Sequence, residues 1–134
     1  MALPARHRLR GLRVFERIYR RGRRFDTPLL QLRVLIAVPA LLPPDQIGHP
    51  ASPWRCAVVV SSKVSKRAVV RNRLRRRLQA ELLACRPHGP EPLWLLLSVR
   101  PGSAELCESQ LLGECRQLLR KAGLCHDLPT PQPS

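Results

Sequence analysis

The sequence predicts an α+β fold in which helices pack on a small mixed sheet of three to four strands, in the order α-β-β-α-β-α. Three observations carry that prediction. Helical and strand periodicities alternate along the chain, the apolar fraction of 44% suffices for one core in 134 residues, and no internal repeat interrupts the pattern. Residues 1–125 are expected to form a single domain, and 126–134, with three prolines, a flexible tail.

The first helix is read from Leu12, Phe15 and Tyr19, with Val14 and Ile18 on an adjoining arc, and it stops at Gly22 after Arg20 and Arg21. Leu29–Val38 alternates, with Leu30, Leu32, Val34, Ile36 and Val38 on one side and Gln31 and Arg33 interrupting the other. That is a strand with one buried face. Pro39–Pro53, rich in proline, reads as a loop of unusual length. Trp54–Val60 is a second, β-branched strand. A basic helix follows with Ser65 placed to cap it, and Pro87-His88-Gly89-Pro90 closes it. Leu93–Val99 is a short continuous apolar run, as a buried strand requires. Ser103 then caps a last helix with Glu105 and Glu108 in its first turn, Arg120 and Lys121 in its last, and Gly123 as its stop.

The charge is concentrated where it is least comfortable. Net charge is +15, from 24 Lys+Arg against 9 Asp+Glu, and the lysines are few (Lys63, Lys66 and Lys121). Arg71-Asn72-Arg73-Leu74-Arg75-Arg76-Arg77 places five arginines in seven positions. On a helix, Arg67 and Arg71, Arg71 and Arg75, and Arg73 and Arg77 stand four apart, each pair costing roughly 0.2–0.5 kcal/mol. Lys66 and Arg67 also face the positive end of the helix macrodipole. Val70, Leu74 and Leu78 form the core stripe, which leaves the guanidinium groups and Asn72 outside it. A polyanion docked along the segment would relieve the repulsion, and donors of this kind suit phosphates and 2′-hydroxyls.

These residues also carry a resemblance. Trp54-Arg55-Cys56-Ala57-Val58-Val59-Val60-Ser61, followed by Lys63-Val64-Ser65-Lys66-Arg67-Ala68-Val69-Val70-Arg71-Asn72-Arg73, resembles the signature of the bacterial ribonuclease P protein subunit. The similarity extends to His7-Arg8-Leu9-Arg10, Phe15-Glu16-Arg17, Tyr19-Arg20-Arg21-Gly22 and Val99-Arg100-Pro101-Gly102, so it runs from about Leu3 to Leu124. Ser62 and Ser65 depart from it, standing where lysine and glycine are frequent. The resemblance implies a small α/β sandwich with a left-handed βαβ crossover. It implies that Lys63, Lys66, Arg67, Arg71, Asn72, Arg73, Arg75, Arg76 and Arg77 anchor a catalytic RNA. It further implies that Phe15 and Tyr19, helped by Arg17 and Arg33, hold the single-stranded 5′ leader of precursor tRNA in a cleft floored by the strands Leu29–Val38 and Trp54–Val60. By their spacing alone, Phe15 and Tyr19 would equally suit a core-facing helix. Two rivals are a ribosomal or other structural RNA-binding protein and a DNA-binding module. The second is disfavoured because the arginine helix lacks the polar mixture that reads base edges.

The chain offers no obvious chemistry of its own. Glu16, Asp26, Asp45, Glu81, Glu91, Glu105, Glu108, Glu114 and Asp127 are scattered, without the clustering a protein metal site or acid–base pair needs. No catalytic or metal-binding residue is therefore expected, Mg²⁺ is expected at the RNA subunit, and no obligate protein partner is evident. Cys56, Cys85, Cys107, Cys115 and Cys125 are odd in number and lack C-x2-C spacing, so reduced, mostly buried thiols are expected. With no signal segment or membrane span, a cytoplasmic protein is expected. Trp54 and Trp94 read as packing residues, and His7, between two arginines, as a surface phosphate contact.

Overall fold

A computed structural model of the chain describes residues 3–47, 53–87, 91–101 and 108–124. A short 3-10 turn (η1, Ala5–His7) leads to α1 (Leu12–Arg21), β1 (Arg23–Asp26) and β2 (Leu30–Ile36). Then come a second 3-10 turn (η2, Pro39–Leu41), α2 (Pro44–Ile47), β3 (Trp54–Val59), α3 (Ala68–Cys85), β4 (Leu93–Val99) and α4 (Glu108–Lys121). The expected cap Ser103, Glu105 and the 126–134 tail lie outside the described residues.

The four strands form one mixed sheet in the order β1-β2-β4-β3. β1 with β2 and β2 with β4 are antiparallel, whereas β3 and β4 are parallel and joined through α3. β4 is flanked by a strand on each side and covered on both faces, which is why its sequence is a continuous apolar run rather than an alternating one. The outer edge of β3 is met by the N-terminal segment, where the Leu9 amide donates to the Cys56 carbonyl at 3.0 Å.

Alternation divides the side chains between two cores. Leu30, Leu32 and Val34 of β2, Trp54, Cys56 and Val58 of β3, and Leu93, Leu95, Leu97 and Val99 of β4 pack under α3 and α4. The opposite face packs Trp94 and Leu96 against Leu9, Val14 and Ile18 of the N-terminal segment and α1. α4 ends as its sequence demands: Gly123 adopts φ 75°, its amide meets the Arg120 carbonyl, and the Leu124 amide meets that of Leu119. This is a Schellman motif, with the buried Leu124 as its apolar contact.

Several expectations need correction. β1 was not foreseen, because Arg23-Arg24-Phe25-Asp26 has a single apolar residue and none of the alternation that marks a half-buried strand. It is an edge strand, and its charges protect the edge. Gly22 does end α1, but the chain passes directly into β1. A Cβ at Gly22 would sit 2.6 Å from the Ile18 carbonyl oxygen, so only glycine fits. Pro39–Pro53 is not all loop, since it holds η2 and α2. β2 is shorter than Leu29–Val38: Ile36 is 52% exposed, and Val38 packs on the α1 side. In α1, Val14 and Ile18 are fully buried while Leu12 and Tyr19 are exposed, so the adjoining arc is the core-facing one.

His7 is not a surface residue. It is buried, its ring stacked on Trp54 at 3.9 Å between centroids, with Nδ1 2.9 Å from the Trp54 carbonyl oxygen. Both tryptophans are buried, as expected. Among the described residues the cysteines are free thiols; burial pushes Cys56 up to about 12 and raises Cys115 as well. Cys107 and Cys125 lie outside the described residues.

Candidate nucleic-acid interface

The basic surface begins in the β3–α3 connection. Val64 is buried and pins the turn to the core, which leaves Lys63 and Lys66 projecting into solvent. Two serine hydroxyls tie the backbone: Ser61 Oγ accepts from the Lys63 amide and Ser65 Oγ from the Arg67 amide, both at 3.2 Å. Ser65 is therefore a turn residue and not the cap. The capping position falls to Arg67, whose side chain makes no capping hydrogen bond. α3 thus opens without a side-chain cap and with no acidic residue in its first turn, surrounded by cations.

Along α3, Leu74, Leu78 and Leu82 are buried at i, i+4 and i+8, with Val70 partly buried ahead of them. Lys63, Lys66, Arg67, Asn72, Arg73, Arg76 and Arg77 are exposed, and Arg71 and Arg75 lie half-buried at the flanks. Arg71 Nη1 donates to the Ser65 carbonyl at 2.9 Å, which braces the turn against the helix. Arg75 Nη1 donates to Asn72 Oδ1 at 2.7 Å, so the Asn72 amide keeps its donors for another group. The one acid on α3, Glu81, is occupied by Arg116 of α4 at 2.5 Å. The helix accordingly presents a face of donors.

The second surface lies across the sheet. Register places Arg33 beside Leu96, Leu96 beside Ala57, Gln31 beside Ser98, and Ser98 beside Val59, all on the face that α1 only partly covers. Phe15 and Tyr19 border this floor from one flank of α1. Phe15 is half-buried against the Trp94–Leu96 cluster, whereas Tyr19 is 52% exposed. The Arg33 guanidinium lies 4.9 Å from the Tyr19 ring centroid, and its Nε is buried with no hydrogen-bond partner among the described residues. Tyr19 and Arg33 therefore come together as a stacked pair beside this part of the sheet. Arg17 does not join them: two positions from each aromatic, it lies about 160° around the helix. There it lines a different pocket with Arg13, Glu16, Arg20 and Leu41. Gln31 and Val59 lie on strands expected to floor the cleft, whereas Ser98 of β4 was missed, because only the register brings the central strand to that patch.

A family model described as Ribonuclease P matches residues 3–123. This chain belongs to the ribonuclease P protein family. It is 51% identical over 126 residues to the ribonuclease P protein component of Parasynechococcus marenigrum (strain WH8102), covering 92% of this chain and 98% of that one. It is 52% identical over 128 residues to that of Synechococcus sp. (strain RCC307), with the same coverage. Among solved structures, the ribonuclease P protein of Staphylococcus aureus superposes with a TM-score of 0.70 at 18% identity, covering 90% of this chain and 98% of that one. That of Thermotoga maritima gives 0.64 at 19%, covering 85% and 96%. These two share the fold. Family membership sets aside the ribosomal and DNA-binding rivals.

In this member of the ribonuclease P family most described carboxylates are already engaged. Asp45 pairs with Arg10, Glu81 with Arg116, and Glu114 accepts the Leu29 amide at 3.0 Å. Asp26 is met by Arg24, Gln31 and Arg100. No three His, Cys, Asp or Glu side chains among the described residues converge to hold a metal, and none of the described helices is long and apolar enough to cross a membrane.

Desolvation alone would raise the Asp26 carboxyl; hydrogen bonds from Gln31 and Arg100, with the charges of Arg24 and Arg100, outweigh it and hold the group below the usual carboxylate range. A depressed folded-state value means that its contribution is present above the unfolded value of about 3.9 and is lost as pH falls through the folded one. Asp26→Asn is therefore expected to flatten the acid limb of the stability profile below about pH 4. Denaturant midpoints measured in acid should then fall less steeply for the variant than for the parent.

Proposed function

We propose that this chain is the protein subunit of a ribonuclease P holoenzyme that removes the 5′ leader from precursor tRNA. The face of α3 and the preceding turn (Lys63, Lys66, Arg67, Arg71, Asn72, Arg73, Arg75, Arg76 and Arg77) anchor the catalytic RNA through phosphates and riboses. The cleft bordered by Phe15 and Tyr19, with Arg33, holds the extended leader. Hydrolysis belongs to the RNA, with Mg²⁺ bound there rather than in a protein cage. The engagement of Asp26, Asp45, Glu81 and Glu114 by their own partners supports that division. The observation that carries the reading is the donor-only face of α3, uncapped at its start and balanced by no acid of its own except the engaged Glu81.

Reconstitution tests it. The purified protein mixed with the matching catalytic RNA at low magnesium should accelerate 5′ maturation of precursor tRNA. The same rate with and without protein would end the proposal. A sharper expectation concerns the cleft. Stacking of a base on an aromatic ring contributes about 1–3 kcal/mol, so Tyr19→Ala should raise KM roughly tenfold for substrates with a leader. Binding of leaderless tRNA should stay near the parent value. Phe15→Ala should show the same preference together with a loss of stability, because Phe15 also packs on the core.

A further inference from the structure

The outer flank of α1 carries a charge pattern that neither the cleft nor α3 accounts for. Arg13, Arg17, Arg20 and Arg21 recur at i, i+4, i+7 and i+8, which sets them along one stripe. All four are exposed, and none meets a partner among the described residues. Arg13 with Arg17 and Arg17 with Arg21 are like-charge pairs four apart, and Arg13 faces the positive end of the helix. The helix starts at Gly11, with φ 110° and no side-chain cap. The features that mark α3 are thus repeated on a second helix, on the other face of the sheet. Arg13, Arg17 and Arg20, with Glu16 and Leu41, line a pocket of about 160 Å³.

We propose that this stripe is a second phosphate-binding surface, holding a stretch of RNA backbone separate from the strand in the cleft. From Arg13 to Arg21 the helix rises about 12 Å, enough to face a few consecutive phosphates of one strand. The flank offers guanidinium donors and no aromatic ring, so it positions backbone without reading sequence. Tyr19 and Arg17 point to opposite sides of a helix about 10–12 Å across, so α1 separates the two strands and holds them side by side. Arg17 acts on this surface and not in the cleft. The inference rests on the RNA-binding function proposed above. Because the stripe repeats the uncapped, arginine-rich design of α3, the strand is assigned to the catalytic RNA that α3 anchors, and the tRNA body is left as an outcome of the test.

The test is the variant Arg13→Gln/Arg17→Gln/Arg20→Gln, with salt dependence of binding measured in two arms. One arm is protein with the matching catalytic RNA; the other is assembled holoenzyme with leaderless tRNA. The log–log salt slope should fall by about two to three in the catalytic-RNA arm, and a fall confined to the leaderless-tRNA arm would overturn that assignment. Unchanged slopes in both arms, with the parent protein binding normally, would overturn this surface and leave the α3 anchor standing. A parent protein that binds neither RNA would overturn both. The corresponding triple lysine variant should keep the parent slope; if it loses as much as the glutamine variant, helix disturbance and not charge is responsible, and the proposal falls.

Discussion

Trp94→Ala should destabilise the protein by about 3–5 kcal/mol, the largest effect expected of any single substitution here. Trp94 is 1% exposed on the central strand β4 and packs with Leu9, Val14, Ile18 and Leu96. Its neighbours in the ladder are Leu35 and Arg55, so the backbone beneath it is held on both sides and cannot collapse into the void. A typical domain has only about 5–15 kcal/mol of stability in total, so the variant should lose a large fraction of it. The urea midpoint should fall while the slope of unfolding stays the same. Trp94→Phe, which retains most of the apolar contact, should lose clearly less. A loss below about 1 kcal/mol for the alanine variant would mean that α1 is held to the sheet by something other than this cluster. Because α1 also carries Tyr19 and the Arg13–Arg21 stripe, any surviving folded fraction should discriminate poorly between substrates with and without leaders.

The parts of this molecule legible in the sequence are those where a local pattern has one physical cause. Leu93–Val99 had to be a strand buried on both faces, and Leu74 and Leu78 had to face the core because their spacing matches the helical period. The position of the arginines on α3 followed from the same stripe. What stayed hidden depends on contacts between distant segments. β1 is a strand because β2 offers it an edge, not because Arg23-Arg24-Phe25-Asp26 favours one. His7 looked like a surface cation between two arginines, yet Trp54, 47 positions away, supplies both its stacking partner and its hydrogen-bond acceptor. The resemblance grouped Arg17 with Phe15 and Tyr19, although two positions on a helix lead to nearly opposite faces. The resemblance to a family supplied the catalytic RNA and the leader; composition and spacing reached only as far as a polyanion with phosphates and 2′-hydroxyls.

Replacing Arg73 and Arg76 by alanine should weaken binding of the catalytic RNA, and the Arg76 replacement should leave the free protein as stable as before or slightly more so. Both residues are exposed on α3, and Arg76 has no partner among the described residues. Each cation removed from a phosphate contact should lower the log–log salt slope by about 0.7–0.9, so the pair should lower it by roughly 1.4–1.8. The stability change has the opposite sign. Arg73 and Arg76 stand three apart, and a like-charge pair at that spacing costs roughly 0.2–0.5 kcal/mol, which replacing Arg76 removes. Alanine is also the best helix former, so no propensity is lost. A residue that merely braced the helix would lower both quantities together; one held in place for RNA lowers the first and spares the second. Salt titrations of RNA binding, paired with urea unfolding of the free protein, separate the two cases. An unchanged slope would remove α3 from the RNA interface, whatever happened to stability.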